Sequence, residues 1–364
     1  MPETRPGIQF DADGVCMPCR NTTDLKAGVD WQARRAEIEA IAKWGRENSQ
    51  NGYDCIIGVS GGKDSTRQAL LARDELGLNP LLVSSTYPPR QQNDIGPANL
   101  SNLISLGFNC LSISLSPQTW AKAMRLAFFE YGNWCKSTEL ALYTSSARVA
   151  VSMGVPLILL GENNAVVYGD TSMGADGGDA SRIRHNNTLG GGDTAWLENE
   201  EIGPEKLMWY AYPGEQEMDA AKLRMIFLGY YFSDFDIMTN AKIALEKGLH
   251  VRDNDPEKYG TLNNFEDLDE DFVPVNQYLK FLKFGFSRVT DEVCELIRQG
   301  DLSREDGIEL IKKYDGRCSD ELTSRFCDFI GISVDEFWSV AEKYRNPDIW
   351  ERDNSDGWVL MRDF

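Results

Sequence analysis

Histidine is nearly missing: the 364 residues contain two, His185 and His250. A cysteine nucleophile served by a histidine base has little to draw on here. Cys135, between Trp134 and Lys136, also lacks a strand–elbow setting. Positive charge is scarce too: 37 Lys and Arg face 57 Asp and Glu, a formal charge of −20. That balance argues against a general nucleic-acid surface. The chain has no long apolar run of membrane-spanning length and no secretory signal pattern. A cytoplasmic protein without stable membrane insertion is expected, with its eight cysteines reduced and mostly packed as small core residues. Two familiar phosphate-binding patterns are absent, G-x-x-x-x-G-K-S/T and G-x-G-x-x-G. Cys16-Met17-Pro18-Cys19 has no second C-x-x-C to pair with, since Cys318 and Cys327 are too widely spaced. It supplies half of a four-thiolate zinc site, or a redox pair, or nothing beyond its packing.

What is present centres on Ser60-Gly61-Gly62-Lys63-Asp64-Ser65. An apolar run, Cys55 to Val59, precedes it and predicts a buried parallel strand. Helical periodicity follows from Thr66 and closes at Gly77. A strand thus enters a Ser/Gly turn that opens a helix. Gly61 and Gly62 permit dihedrals and close approaches denied to other residues. The unpaired N–H groups of the first helical turn suit an anion, Ser60 and Ser65 add hydroxyls, and Lys63 adds charge. Asp64 would repel phosphate, and fits if it holds Mg²⁺ or orients the turn.

The rest of the chain alternates. Residues 1–30 are without period and predict an irregular cysteine-containing lobe. A helix is expected over Trp31 to Trp44. Further strands are expected at 81–85, 110–114 and 156–160, with helices at 99–106, 118–131 and 138–153. This predicts an α/β, doubly wound parallel sheet. Ligands bind at the carboxyl ends of such strands, which places Ser84, Ser85 and Thr86 after the second strand near a nucleotide. Gly161, Glu162 and Asn163 follow the fourth. Residues 165–220 break the pattern with glycine-rich loops that keep Trp196, Trp209, Tyr210 and Tyr212, as expected of a substrate lid or a partner surface. Residues 222–231 and 236–248 predict helices. Asn263 to Asp269 is an acidic loop. Another helix is expected at 274–284, and short capped helices over 285–345 form a small C-terminal helical appendage. The expected division is 1–30, a 31–240 core that includes the 165–220 insertion, and a mostly helical 241–364.

The hexapeptide resembles the S-G-G-x-D-S loop of the PP-loop ATP pyrophosphatase superfamily, and the fold it implies is the doubly wound sheet of that type. More specific stretches are similar to N-acetyl sugar amidotransferases of bacterial surface-polysaccharide and nonulosonic-acid pathways: Met1 to Ile8, Gly14-Val15-Cys16, Asn99-Leu100, Asn102 to Phe108, Gly132 to Glu139, Gly161-Glu162-Asn163, Tyr168-Gly169, Tyr278 to Phe281, Gly285-Phe286 and Asp315-Gly316. The resemblance runs along almost the whole chain. Relatives usually carry another C-x-x-C ahead of the segment that matches Met1-Pro2. Without it Cys16 and Cys19 close no tetrahedral zinc site unless other ligands join them.

The resemblance implies that ATP adenylates the oxygen of an acetamido group, and that ammonia then displaces AMP to leave an acetamidino group. It implies ATP and Mg²⁺ as cofactors, with Zn²⁺ on Cys16 and Cys19 as a weaker expectation. Ammonia would come from a separate glutaminase subunit, and a homo-oligomer is compatible. Ser60 to Ser65, with Ser84, Ser85, Thr86 and Gly161, are the expected nucleotide residues. Lys63, Asp64 and Glu162 are the expected catalytic residues, Asp64 holding Mg²⁺ and Glu162 holding metal or orienting ammonia. Asn99 and Asn163 are assigned to the substrate. Trp134, Lys136 and Ser137 form the expected sugar site, Trp134 offering a face to the ring and Lys136 a counter-charge to an acidic sugar. The competing readings are a tRNA-thiolating enzyme with the same loop, an ammonia-dependent synthetase of NAD-synthetase type, and a nucleotide-binding regulatory protein.

Overall fold

A computed structural model describes residues 1–163, 167, 177–186, 188–354 and 357–361, with only the backbone at 25–27. Tyr168-Gly169 and much of the glycine-rich stretch before Gly177 lie outside the described residues.

Five parallel strands form the central sheet: β1 (Cys55–Gly58), β2 (Pro80–Thr86), β3 (Asn109–Ser114), β4 (Leu157–Leu160) and β5 (Arg224–Phe227). Their order is β3-β2-β1-β4-β5. The chain winds outward one way from β1 to β3 and the other way through β4 to β5. The order therefore reverses between β1 and β4, where such sheets open a crevice. The first four strands follow the apolar runs. The fifth replaces an expected helix at 222–231. Its Arg-Met-Ile-Phe run pairs Leu157 to Leu160 with Arg224 to Phe227, and a 3-10 turn, Leu228–Tyr230, follows. Periodicity cannot tell so short an apolar run in a strand from one in a helix.

Both sheet faces are buried. Ile57, Leu82 and Leu159 pack with Ile38 and Ile41 of α2 (Trp31–Asn48) and with Ala69 and Leu70 of α3 (Lys63–Leu70). Ile56, Leu81, Val83 and Ile158 face Ala147, Val149 and Ala150 of α6 (Cys135–Met153). Alternation sends neighbouring residues of one strand to opposite faces. The N-terminal stretch is less irregular than expected: α1 spans Met17–Gly28, begun by Cys16 at its N-cap with Pro18 in its first turn. Its sequence is polar and carries no apolar stripe, which is why periodicity missed it.

The C-terminal region is helical as expected, at 288–299, 304–314, 320–330 and 334–343, and Ser303 and Ser333 accept from the N–H groups of Asp306 and Glu336. These helices do not stand apart. Phe326 and Phe337 enter a core with Trp120 and Phe128 of α5 (Pro117–Tyr131), Trp134, and Leu197, Ile202, Leu207 and Tyr210. Phe128 and Phe337 stack at 5.2 Å. A short antiparallel hairpin, Trp350–Arg352 with Trp358–Leu360, follows them.

Candidate functional site

The turn between β1 and α3 is built by its glycines for different reasons. Gly61 has φ +91°, and a Cβ there would lie 2.8 Å from the backbone of Asn99 and Leu100 in α4 (Ile95–Ser105). The neighbouring helix, and not only an anion, requires glycine at this point. Gly62 caps α3 with extended backbone. A Cβ there would meet only Ser60 Oγ at 3.5 Å, so Gly62 faces the open side of the loop. Ser65 Oγ donates to Gly62 O at 3.1 Å and holds the turn against the helix. The N–H groups of the first turn of α3 have no intrahelical acceptor and point toward the strand ends.

Lys63 is 4% exposed. Its Nζ donates to Asp64 Oδ2 at 2.8 Å and to Glu266 Oε1 at 2.7 Å. Burial pulls its ammonium pKa down, but the two carboxylates outweigh this and leave it well above the ordinary value. Asp64 Oδ1 accepts from Asn240 Nδ2 at 3.0 Å. Lys63 is therefore held inside a carboxylate pair and is not a cation projecting into solvent.

A cavity of about 440 Å³ opens at the carboxyl ends of the strands on the α6 side. Ser60, Asp64, Ser65, Ser85, Gly161 and Glu162 line it. Ser85 is 8% exposed, and its Oγ finds no hydrogen-bond partner among the described residues. A buried hydroxyl without a partner is costly and needs an acceptor or donor from elsewhere. Burial pushes the Glu162 carboxyl up to about 7; the charges of Asp64 and Glu266 add to this and Lys63 opposes it.

Other expected residues lie elsewhere. Ser84 alternates to the opposite sheet face, and Thr86 Oγ1 pairs with Ser114 Oγ at 2.6 Å on β3. Asn99 ties down a loop: its Nδ2 donates to His250 O at 2.9 Å, and its Oδ1 accepts from His250 N at 2.7 Å. Asn163 Nδ2 donates to Gly177 O at 3.1 Å. Trp134 is 1% exposed and packs on Phe326 at 6.0 Å. Ser137 Oγ donates to Trp134 O at 3.0 Å. Lys136 Nζ donates to Thr188 O at 3.2 Å and lies over the rings of Tyr131 and Trp196. The start of α6 is thus a core-facing corner, and none of Trp134, Lys136 and Ser137 lines the cavity. The middle of the same helix does, through Tyr143 and Ser146.

The sequence reading did not assign Tyr87, Tyr143, Asp267 or Asp269 to the site, yet they line the cavity, together with Tyr212 from the 165–220 insertion. Burial raises the pKa of all three tyrosines and keeps their hydroxyls protonated. The acidic loop offered one signal, but a run of charge ordinarily marks a solvated face. Here it folds over the anion turn.

The Cys16 and Cys19 thiols are close neighbours, and their mutual interaction pulls Cys16 down to about 5 and pushes Cys19 up. Among the described residues, no group of three or more His, Cys, Asp or Glu is placed to hold a metal. Two thiols do not satisfy tetrahedral zinc, so the residues present do not fit a closed zinc site. Also among the described residues, no helix is long and apolar enough to cross a membrane.

Comparison with known proteins gives two findings. An uncharacterized protein of Methanocaldococcus jannaschii, MJ1599, is 31% identical over 81 residues, 22% of this chain and 28% of that protein. The chain thus spans well under half the length of this curated relative. Residues 258–364 match the family described as "LPS biosynthesis protein WbpG-like, C-terminal domain", and this matched segment contains Glu266, which reaches Lys63, and the cavity-lining Asp267 and Asp269.

Proposed function

We propose that this chain is an ATP-dependent amidotransferase of PP-loop type acting in bacterial surface-polysaccharide biosynthesis, and that it converts an acetamido group of a sugar to an acetamidino group. One observation carries the reading. A glycine turn with free helix N–H groups opens onto a cavity with an unpartnered buried serine, and the segment that walls this cavity resembles a lipopolysaccharide-biosynthesis domain.

The residues present fit a nucleotide. The first turn of α3 and Ser60 would receive phosphate oxygens, and Ser85 Oγ would gain the partner it lacks. Mg²⁺ is usually held by one or two carboxylates together with substrate phosphates and water; Asp64 and Glu162 are the candidates. When bound, ATP supplies the adenylyl group, and the metal offsets charge on the phosphates. The chain's own part is to orient the amide, to hold Lys63 ready beside Asp64, and to exclude water from a half-enclosed cavity. Engagement of Lys63 by phosphate requires Glu266 to give way.

The chemistry needs ammonia, and we assign its supply to a separate glutaminase, since two histidines and a core-packed Cys135 offer no such machinery. The test is incubation with ATP, Mg²⁺, ammonium chloride and a panel of free and nucleotide-linked acetamido sugars. Pyrophosphate release that depends on one sugar, with replacement of its amide oxygen by NH in the mass spectrum, is the expected result. Turnover with glutamine should appear only when the glutaminase is added. Pyrophosphate release that depends on tRNA and a sulfur donor, and not on sugar, would replace this reading with the thiolation one.

A further inference from the structure

The loop Glu266-Asp267-Leu268-Asp269-Glu270-Asp271 carries five acids in six residues, and four of them are committed. Glu266 binds Lys63 at 2.7 Å. Asp267 accepts both its bonds from Arg288 Nη2, at 2.9 and 3.1 Å, and sits at φ +49°, a left-handed conformation. Glu270 is fully buried and accepts from Gln91 Nε2 at 2.9 Å and from the N–H groups of Phe272 and Val273. Asp271 pairs with Arg325 at 2.8 Å. Asp269 is the one of the five that, among the described residues, makes no ion pair and accepts no side-chain hydrogen bond, and it lines the cavity. Its backbone is fixed: a Cβ on Gly96 of α4 would lie 2.8 Å from Asp269 Cα, and Leu268 beside it is buried. A loop pinned on both sides thus brings Asp267 and Asp269 to the cavity that also holds the orphan hydroxyl of Ser85, and of the two Asp267 is already bonded to Arg288.

We infer that Asp269 is the catalytic base of the second half-reaction, taking the proton from the nitrogen that attacks the activated amide and afterwards facing the amidinium product. This rests on the proposed amidination. The balance is as follows. Ammonia adds its electron pair to the amide carbon of the O-adenylyl imidate, whose nitrogen keeps the amide proton and carries a positive charge, and a C–N bond forms. One N–H proton passes to the Asp269 carboxylate. The C–O bond then breaks and AMP leaves with the electron pair. The product is a cation, the amidinium, and AMP carries the balancing charge. Asp269 returns its proton to water and, as carboxylate, pairs with that cation. A carboxyl placed to accept a proton near neutrality serves a base better than one that is always ionised. Burial supplies this, pushing Asp269 up to about 7; Asp267 raises it further and Arg252 opposes, with Glu270 and Tyr87 the other titratable groups around it.

Asp269→Asn tests the assignment in two independent ways. In the first, sugar-dependent exchange of labelled pyrophosphate into ATP reads activation alone, and amidine formation with ammonium chloride reads both steps. Exchange should stay within about threefold of wild type, while amidination falls by about 10²–10⁴ and loses its acidic limb near pH 7. Equal loss in both steps, or no loss in either, overturns the inference. The second arm needs no turnover. Acetamidine hydrochloride, titrated at pH 8 in a calorimeter, should bind the wild-type protein and bind Asp269→Asn at least about tenfold more weakly, with acetamide binding neither. Wild-type protein that does not distinguish acetamidine from acetamide refutes the inference. Selective acetamidine binding without any sugar-dependent exchange would instead sink the amidination reading and leave Asp269 as a cation site. Matching thermal unfolding midpoints show that the variant is folded.

Discussion

Replacing Gly61 and Gly62 one at a time separates what the anion turn owes to folding from what it owes to a ligand. At Gly61 the backbone has φ +91°, where an L side chain costs about 1–2 kcal/mol. Its new methyl would lie 2.8 Å from backbone atoms of Asn99 and Leu100. Those atoms belong to α4 and cannot rotate away as a side-chain tip would, so overpacking adds about 1–3 kcal/mol. Gly61→Ala should therefore lose about 2–5 kcal/mol of stability. Gly62 has φ −69°, and its added methyl meets only Ser60 Oγ at 3.5 Å. Gly62→Ala loses a better N-cap residue and costs about 1 kcal/mol or less, but its methyl stands where a bound phosphate would approach. Denaturant unfolding of both variants, with ATP binding by calorimetry on the folded material, reads the two effects. The expected pattern is a large stability loss for Gly61→Ala and, for Gly62→Ala, a small one with weakened ATP binding. A Gly61→Ala midpoint equal to wild type would refute the geometric argument, because neither the dihedral nor the contact with α4 would then matter.

Asp64→Asn should lower sugar-dependent pyrophosphate release by about 10²–10³, and wild-type rates at saturating Mg²⁺ would remove Asp64 from the chemistry. The pH dependence of stability has a definite sign. Glu162, Asp269 and Glu270 have pKa values raised from 4.5, 3.8 and 4.5 to about 7, 7 and 8. The folded state then holds more protons than the unfolded one in this window, so these groups favour folding at low pH and that contribution is lost as pH rises from about 4 to 8. Glu270→Gln keeps a side-chain carbonyl for Gln91 and the backbone donors and should flatten this fall; an unchanged slope in pH-dependent urea unfolding would show that Glu270 does not titrate there. Phe326→Ala should destabilise by about 3–5 kcal/mol, since Phe326 is fully buried among Phe128, Trp134, Phe272 and Phe337; a loss below about 1 kcal/mol in thermal unfolding would mean that the C-terminal helices are not part of that core.

The parallel sheet was readable because strands buried on both faces write continuous apolar runs, as at 55–59 and 156–160. The glycine turn between β1 and α3 was readable because its residue types have a local reason to sit between strand and helix. β5 was misread because four residues hold too little period to decide. The expected sugar corner at Trp134, Lys136 and Ser137 lies away from the cavity for a different reason. Those residues do start a helix near the strand ends, but nothing local reveals which face of that helix meets the C-terminal aromatics. Phe326 lies far along the chain and takes Trp134 into the core. The acidic loop at 263–269 was legible as a loop, but not its inward course, which long-range partners such as Arg288 impose. Local chemistry marks where a ligand can go, while the walls of its cavity come from distant segments.

The bond between Lys63 and Glu266 joins positions about two hundred residues apart in the chain, which bears on how the protein is made. The amino-terminal part of a chain leaves the ribosome first and begins to fold first. The first four strands can assemble while Glu266 is still unsynthesised, and at that stage Lys63 has Asp64 as its sole carboxylate partner from this pair of contacts. A nascent chain of that length carries the anion turn but neither its second counter-ion nor the acidic wall of the cavity. The cavity is thus completed late, only after the segment from 266 onward has emerged and docked, and a fragment ending near residue 250 would hold a sheet without a finished pocket.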